Sequence, residues 1–152
     1  MTYDLAAVLP QLIPLAIAWA QERSAEVLRA GRALDRRGVA LARAVGVTRP
    51  ELIRVQRVAA IPVPEEPSLR RAAMYTGLLG PHVSGLTLGH AIYVVTAQEC
   101  ARLLSHECRH VHQYEEAGSI AAFLTSYLHQ IAEVGYARAP YEVDAVAWER
   151  DG

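Results

Sequence analysis

Apolar positions recur along this chain with two different periods, and the elements change where one period gives way to the other. The first 46 residues read as helical. An apolar segment through Ala20 continues as QERSAEVLRA and stops at Gly31, and a second segment from about Asp35 stops at Gly46. Both glycines stand where a left-handed helix cap is expected. In ELIRVQRV, Glu51 to Val58, Ile53 and Val55 alternate with Arg54 and Gln56, which is the period of a strand. The prolines of IPVPEEP, residues 61–67, predict a stiff extended connection, and a short helix is expected near Ser68 to Tyr75. After a loop marked by Gly77, Gly80, Pro81 and Gly85, GLTLGHAIYVV reads as the clearest strand, with Leu86, Leu88, Ile92 and Val94 on one face. Thr96-Ala97-Gln98-Glu99 has the form of a capping box, so an uninterrupted helix is predicted from there to Gly118. Two more helices are expected, over about Ser119 to Val134 and from near Pro140.

The pattern predicts an α+β fold, helix-dominated, in which a small β-sheet precedes the C-terminal helices. No repeat, low-complexity tract or long linker divides the chain. A single domain over residues 1–152 is therefore expected, with a helical N-terminal region at 1–46 and a core at 50–150.

The segment Leu5 to Ala20 alone resembles a targeting or membrane element. Its 16 residues fall short of the roughly 20 that a spanning helix needs, and Pro10 and Pro14 interrupt it. A signal peptide begins with positive charge, yet Asp4 is the only charge before residue 22. Ala18-Trp19-Ala20 keeps export open by resembling a cleavage site. The expectation is a buried or interface-covering helix and no transmembrane span. Cys100 and Cys108 fall on one predicted helix about 12 Å apart, beyond disulfide reach, so both are expected as reduced thiols in a cytoplasmic protein.

Composition narrows the chemistry. All 15 basic residues are Arg and the chain has no Lys, which excludes Schiff-base enzymes, P-loop lysines and Ser-Lys dyads. The net charge of −1 argues against a nucleic-acid partner, which calls for a basic excess. There is no Asn either, so no Asn side chain can hold a substrate backbone.

Within the predicted helix, SHECRH contains His106-Glu107-x-x-His110. Residues i and i+4 share one helical face with Cβ atoms about 6 Å apart, so two imidazoles can converge on one zinc ion. Glu107, rotated by one residue, lies beside the open coordination position, where a general base would take a proton from water. The His and Glu content gives about 0.02 accidental matches to such a pattern. The position after a strand strengthens it, because a strand edge can bind an extended peptide by backbone pairing. A catalytic zinc needs a third ligand. HExxHxxGxxH is excluded by Gln113 and Glu116. Glu142 in APYEVDAVAWE is the preferred third ligand, with Asp144 and Glu149 as rivals. On a helix Asp144 projects about 200° from Glu142, so it is kept as a partner for a ligand histidine.

SHECRHVHQYEEAGSIAAFLTSYLHQIAEVGYARAPYEVDA resembles the HExxH-helix-GYxxxPxEx[DE]A layout of small bacterial gluzincin-like proteins, minimal single-domain relatives of the zinc metallopeptidases. With GLTLGHAIYVV and IRVQRVAAIPVP, the resemblance covers roughly residues 50 to 147. It implies a zincin-like fold, zinc on His106, His110 and Glu142, Glu107 as general base, and a peptide or protein substrate. Two departures stand out. Many larger gluzincins carry an Asp four residues after the ligand Glu, where this chain has Val146. They also carry a second subdomain for which 152 residues leave little room.

Among the other polar residues, His112 is expected to face away from the metal, and Gln113 to hold a ligand or a turn. His82, His90 and His129 form no pattern. Tyr136 and Tyr141 are the candidates for stabilising an oxyanion, and Cys108 is expected as a core thiol. Three functions follow: a zinc metallopeptidase; a silent zinc-binding relative with a structural or interaction role, or a latent one whose cleft residues 1–46 cover; or a helical interaction or membrane-surface module in which the motif is accidental.

Overall fold

The computed structural model describes residues 3–152. The first helix, α1 (Leu5–Ala30), is capped by Asp4, whose carboxylate accepts from the Ala7 N–H at 3.2 Å. It runs unbroken through Pro10 and Pro14, contrary to the expected interruption. The carbonyls these prolines leave unbonded belong to Ala6 and Pro10, both on the exposed side, where water can satisfy them. At 26 residues and a mean hydropathy of 1.3 in its most apolar window, α1 is long and apolar enough to cross a membrane. Here its Leu9, Leu12, Ala20, Ser24 and Val27 are buried within the fold.

Gly31 ends α1 in extended rather than left-handed backbone (φ −75°, ψ 171°). Space explains the residue: a Cβ there would lie 2.7 Å from the Val27 carbonyl oxygen and 3.1 Å from Arg54 Cβ. The close approach lets β1 (Arg32–Ala33), too short to leave a periodic signal, pair with β2 (Arg54–Val58). Between them lies α2 (Arg36–Ala44), and Gly46 (φ +103°) beyond it takes the left-handed turn the sequence predicted.

After α3 (Pro67–Thr76) the expected long strand is a hairpin: β3 (Gly85–Leu88), a turn at Gly89 (φ +73°) and His90, and β4 (Ala91–Val95). The register pairs Leu86 with Tyr93 and Thr87 with Ile92. Leu86 and Leu88 therefore share a face with Tyr93, and Ile92 and Val94 lie on the other. This corrects the single-face reading, which the turn at Gly89 reverses. The sheet order is β1-β2-β4-β3, with β2 and β4 parallel and β3 at an edge.

The predicted capping box does not cap. Residues Thr96–Gln98 form a 3-10 turn, and Glu99 pairs with Arg57 at 2.6 and 2.7 Å instead. The helix α4 (Ala101–Ala117) starts later with Cys100 at its cap, followed by α5 (Ile120–Val134) and α6 (Pro140–Ala147). Both cysteines are free, Cys100 exposed and Cys108 buried, as expected.

The fold is α+β and helix-dominated, as the pattern predicted. Val55, Ile92 and Val94 pack on one side of the sheet with Ala42 of α2, Val45 just beyond it, and Cys108 and Val111 of α4. Leu88, Ala91 and Tyr93 pack on the other with Ala20 and Val27 of α1 and Leu124 and Ile131 of α5. The Ser24 hydroxyl fixes α1 to the sheet by donating to the Leu88 carbonyl at 2.8 Å. Helix α4 is thereby held beside the edge strand.

Candidate metal centre

His106 and His110 lie one turn apart on α4 with ring centroids separated by 4.9 Å. Helix α6 faces them. Its first turn, started by Pro140, presents Glu142 as a buried carboxylate near a helix N-terminus, where the macrodipole favours negative charge. His106 Nε2 lies 3.2 Å from Glu142 Oε1, and His110 Nε2 lies 2.8 Å from Oε2. One ligand atom from each of the three residues lies within 4.8 Å of the others, so this group could hold a metal ion.

The other ring nitrogens show that the donors suit a metal. His106 Nδ1 lies 2.9 Å from Glu149 Oε2, and His110 Nδ1 lies 2.7 Å from Gln113 Oε1. The Gln113 amide is oriented independently, since its nitrogen donates to the Tyr141 carbonyl and to Asp144 Oδ2, both at 2.9 Å. Both Nδ1 atoms thus meet oxygens that only accept, so both carry the proton and direct the Nε2 atoms toward Glu142. Glu149 and Gln113 fix the imidazoles for ligation.

The charges are interlocked. Burial works against protonated His106, but the carboxylates of Glu142, Glu107 and Glu149 outweigh it and raise its pKa to about 9. Burial acts against ionised Glu142 too, yet hydrogen bonds from both histidines and from Tyr127 hold its carboxyl well below the usual range. The Tyr127 hydroxyl on α5 donates to Glu142 Oε2 at 2.6 Å. A divalent cation would take over the positive charge that the histidine protons supply here, releasing those protons as it bound.

Glu107 points toward β3 and is buried. The Thr87 hydroxyl lies 2.8 Å from its Oε1 and 3.1 Å from its carbonyl oxygen. Burial raises the Glu107 pKa above the ordinary carboxylate value, opposed by the nearby histidines. A cavity of about 30 Å³ lies among His106, Glu107, His110, Tyr127, Tyr136 and Glu142. A more open one of about 430 Å³ adjoins it, lined by His82, Ser84, Gly85, Arg102 and Tyr136 among others. Residues 3–46 line neither of these two cavities.

Structure and sequence differ in who supports whom. Asp144, expected beside a ligand histidine, instead pairs with Arg109 at 2.7 and 3.2 Å and reaches His110 only through Gln113. Its rotation away from Glu142 leaves it no direct hydrogen bond to a ligand imidazole. Glu149, considered as a third ligand, takes the supporting role at His106. It lies two residues beyond the end of α6, where the chain turns back toward α4, so helical spacing from Glu142 gave no signal for this role. Tyr127 and Thr87 carried none, because each reaches the site from a different element. Tyr141 stacks on Phe123 (centroids 4.6 Å apart, planes at 10°), whereas Tyr136 borders both cavities. His112 faces away as expected, its Nδ1 2.9 Å from the Gly46 carbonyl oxygen. His90 contacts Glu115 at 3.0 Å, and His129 Nδ1 lies 2.7 Å from the Thr125 carbonyl oxygen of its own helix.

No family model matches this chain, and no curated protein or solved structure is significantly similar to it.

Proposed function

We propose that this chain is a zinc-dependent metallopeptidase of gluzincin type, with His106, His110 and Glu142 as its ligands. The observation that carries the reading is the position of Glu107: a buried carboxylate with a raised pKa, next to the converging imidazoles and beside an edge strand. Two imidazoles and one carboxylate can hold zinc or non-haem iron(II), and the HExxH spacing, with Glu107 beside the open position, is what favours zinc. When bound, the metal supplies a Lewis acid that polarises a carbonyl and acidifies water.

The chain's own groups carry the remaining roles. Glu107 takes a proton from water as its oxygen adds to the peptide carbonyl carbon, then gives that proton to the amine nitrogen as the C–N bond breaks. A raised pKa suits a group that must both accept and return a proton near neutrality. The Thr87 hydroxyl holds Glu107 Oε1. Tyr136, bordering both cavities, is the side chain placed to donate to the developing oxyanion. The outer edge of β3 offers backbone groups to an extended peptide or protein substrate, a role that no Asn can fill here. Two free thiols favour a reducing compartment such as the cytoplasm, and the charge balance gives a nucleic acid no footing.

A second reading, a zinc-binding protein without turnover, draws on the enclosure of His110, which lines the 30 Å³ cavity but not the open one that His106, Glu107 and Glu142 also line. Metal analysis of the purified full chain followed by a broad peptide library separates the two. The peptidase reading expects one zinc per chain, lost in His110→Ala, and cleavage that vanishes in Glu107→Gln with zinc retained. Zinc without cleavage supports the second reading, and a chain that binds no zinc overturns both.

A further inference from the structure

A third cavity, of about 80 Å³, lies between α1, α3, α5 and β3. Leu9, Leu12, Trp19, Leu69, Ala72 and Leu128 are among the side chains around it. It adjoins the metal-centre cavity: Leu78, Leu86, Thr87 and Tyr127 line both. Those four residues form a wall common to both.

Five polar side chains, Trp19, Thr76, Thr87, Tyr114 and Tyr127, stand in an otherwise apolar wall, and three of them are already engaged. Thr87 bonds to Glu107, the Tyr127 hydroxyl donates to Glu142, and the Thr76 hydroxyl donates to the Ala73 carbonyl at 3.1 Å. A water molecule needs two to four polar partners, so this space suits an apolar occupant. Its volume corresponds to roughly three methylene-sized groups, each about the 30 Å³ share of a liquid water. Of the four residues common to both cavities, Leu78 is half-buried and sits in a loop between Gly77 (φ +78°) and Gly80 (φ +145°). It is the side chain best placed to swing aside.

We infer that this cavity is a subsite for one uncharged, branched aliphatic side chain of the molecule handled at the metal centre. The inference rests on the peptidase reading and names its substrate class: a peptide carrying a Leu- or Val-like residue next to the reacting bond. Helices α1 and α3 build the subsite, which gives the N-terminal region a part in selection.

Hydroxamates, which chelate zinc, test the inference by binding rather than by turnover. Acetohydroxamate, 4-methylpentanohydroxamate and the hydroxamate of succinamic acid are titrated by calorimetry into the zinc-loaded full chain. The branched aliphatic probe is expected to bind about 50-fold more tightly than acetohydroxamate, from about three buried methylene-sized groups. The equally long amide probe gains less than 3-fold. Ala72→Leu fills the cavity from α3, away from the ligands, and is expected to cut the 50-fold gain below 3-fold with acetohydroxamate binding unchanged. Ala16→Leu fills it from α1 and serves if the first variant does not fold. Acetohydroxamate binding with no gain for the aliphatic probe, or a gain untouched by a folded filling variant, overturns the subsite and leaves the metal centre standing. A chain that takes up no zinc overturns the metal centre itself, and the subsite with it.

Discussion

A Cβ built on Gly85 would lie 2.8 Å from Glu107 Oε2 and 2.9 Å from its carboxyl carbon. The first residue of the edge strand and the proposed general base thus occupy touching positions. Real Cβ atoms do not approach so closely, so Gly85→Ala must push the carboxylate away from the Thr87 hydroxyl. Glu107 is not a ligand, so metal content is expected to stay at the wild-type level. Peptide cleavage is expected to fall by about 10²-fold, the low end of a general base's contribution. Wild-type turnover in a folded Gly85→Ala protein would show that the position of Glu107 does not matter to the reaction.

Glu149 supports His106 from beyond the end of α6, and the tail around it is tied to α4. The Arg150 N–H donates to the Ser105 hydroxyl at 2.8 Å, and Arg102 contacts Asp151 at 3.0 Å. Glu149→Ala removes the acceptor that keeps the His106 proton on Nδ1. Zinc affinity, read by competition with a chromogenic chelator, is expected to fall 10- to 100-fold, the usual effect of losing such a partner. Glu149→Gln keeps a carbonyl acceptor and should recover most of it. Equal affinity in all three proteins would contradict the supporting role.

Tyr127 reaches Glu142 from α5 with a 2.6 Å hydrogen bond inside the core. Tyr127→Phe keeps the ring packing against Phe123 and removes only the donor. A buried charge-assisted hydrogen bond contributes about 1.5–3 kcal/mol, so the metal-free protein is expected to lose stability of that order in urea unfolding. An unchanged midpoint would mean that the two histidines alone satisfy Glu142.

Why the sequence disclosed some of these partners and not others has a physical basis. His106 and His110 share one helix, where position along the chain fixes position in space. Glu142 lies on another helix, and a local pattern plus the resemblance were enough to select it. Asp144 and Glu149 both follow it, but their roles depend on where α6 ends: the chain leaves the helix at Trp148, and only then does Glu149 turn to His106. Thr87 and Tyr127 meet the site only through tertiary packing, and side chains that reach across elements leave no period. The same limit explains the misread strand. GLTLGHAIYVV alternates almost perfectly, yet Gly89 and His90 form a turn that reverses the chain and sends the two halves of the pattern to opposite faces. Helical stretches such as α5 and α6 stand where expected, whereas α1 continues past two prolines expected to interrupt it, because exposed carbonyls tolerate a missing donor.

Glu115 offers a test of acid sensitivity away from the metal ligands. Its carboxylate accepts from the Thr48 N–H at 2.8 Å and the Arg49 N–H at 3.0 Å, and it faces His90 Nε2 at 3.0 Å. Burial opposes ionisation, but those hydrogen bonds prevail and hold its pKa below the ordinary value of 4.5. Because the folded state depresses this pKa, the carboxylate's contribution is complete above the ordinary value. It is lost as pH falls through the lower, folded value. Glu115→Gln cannot ionise, so its deficit relative to wild type should be largest near pH 7, at about 1–2 kcal/mol. The deficit should shrink steadily below about pH 4.5 as wild type itself takes up the proton. Urea unfolding of both proteins from pH 7 to pH 3 reads the difference directly. A gap that stays constant, or widens, across that range would show that the hydrogen bonds to the 48–49 turn do not depend on the charge of Glu115.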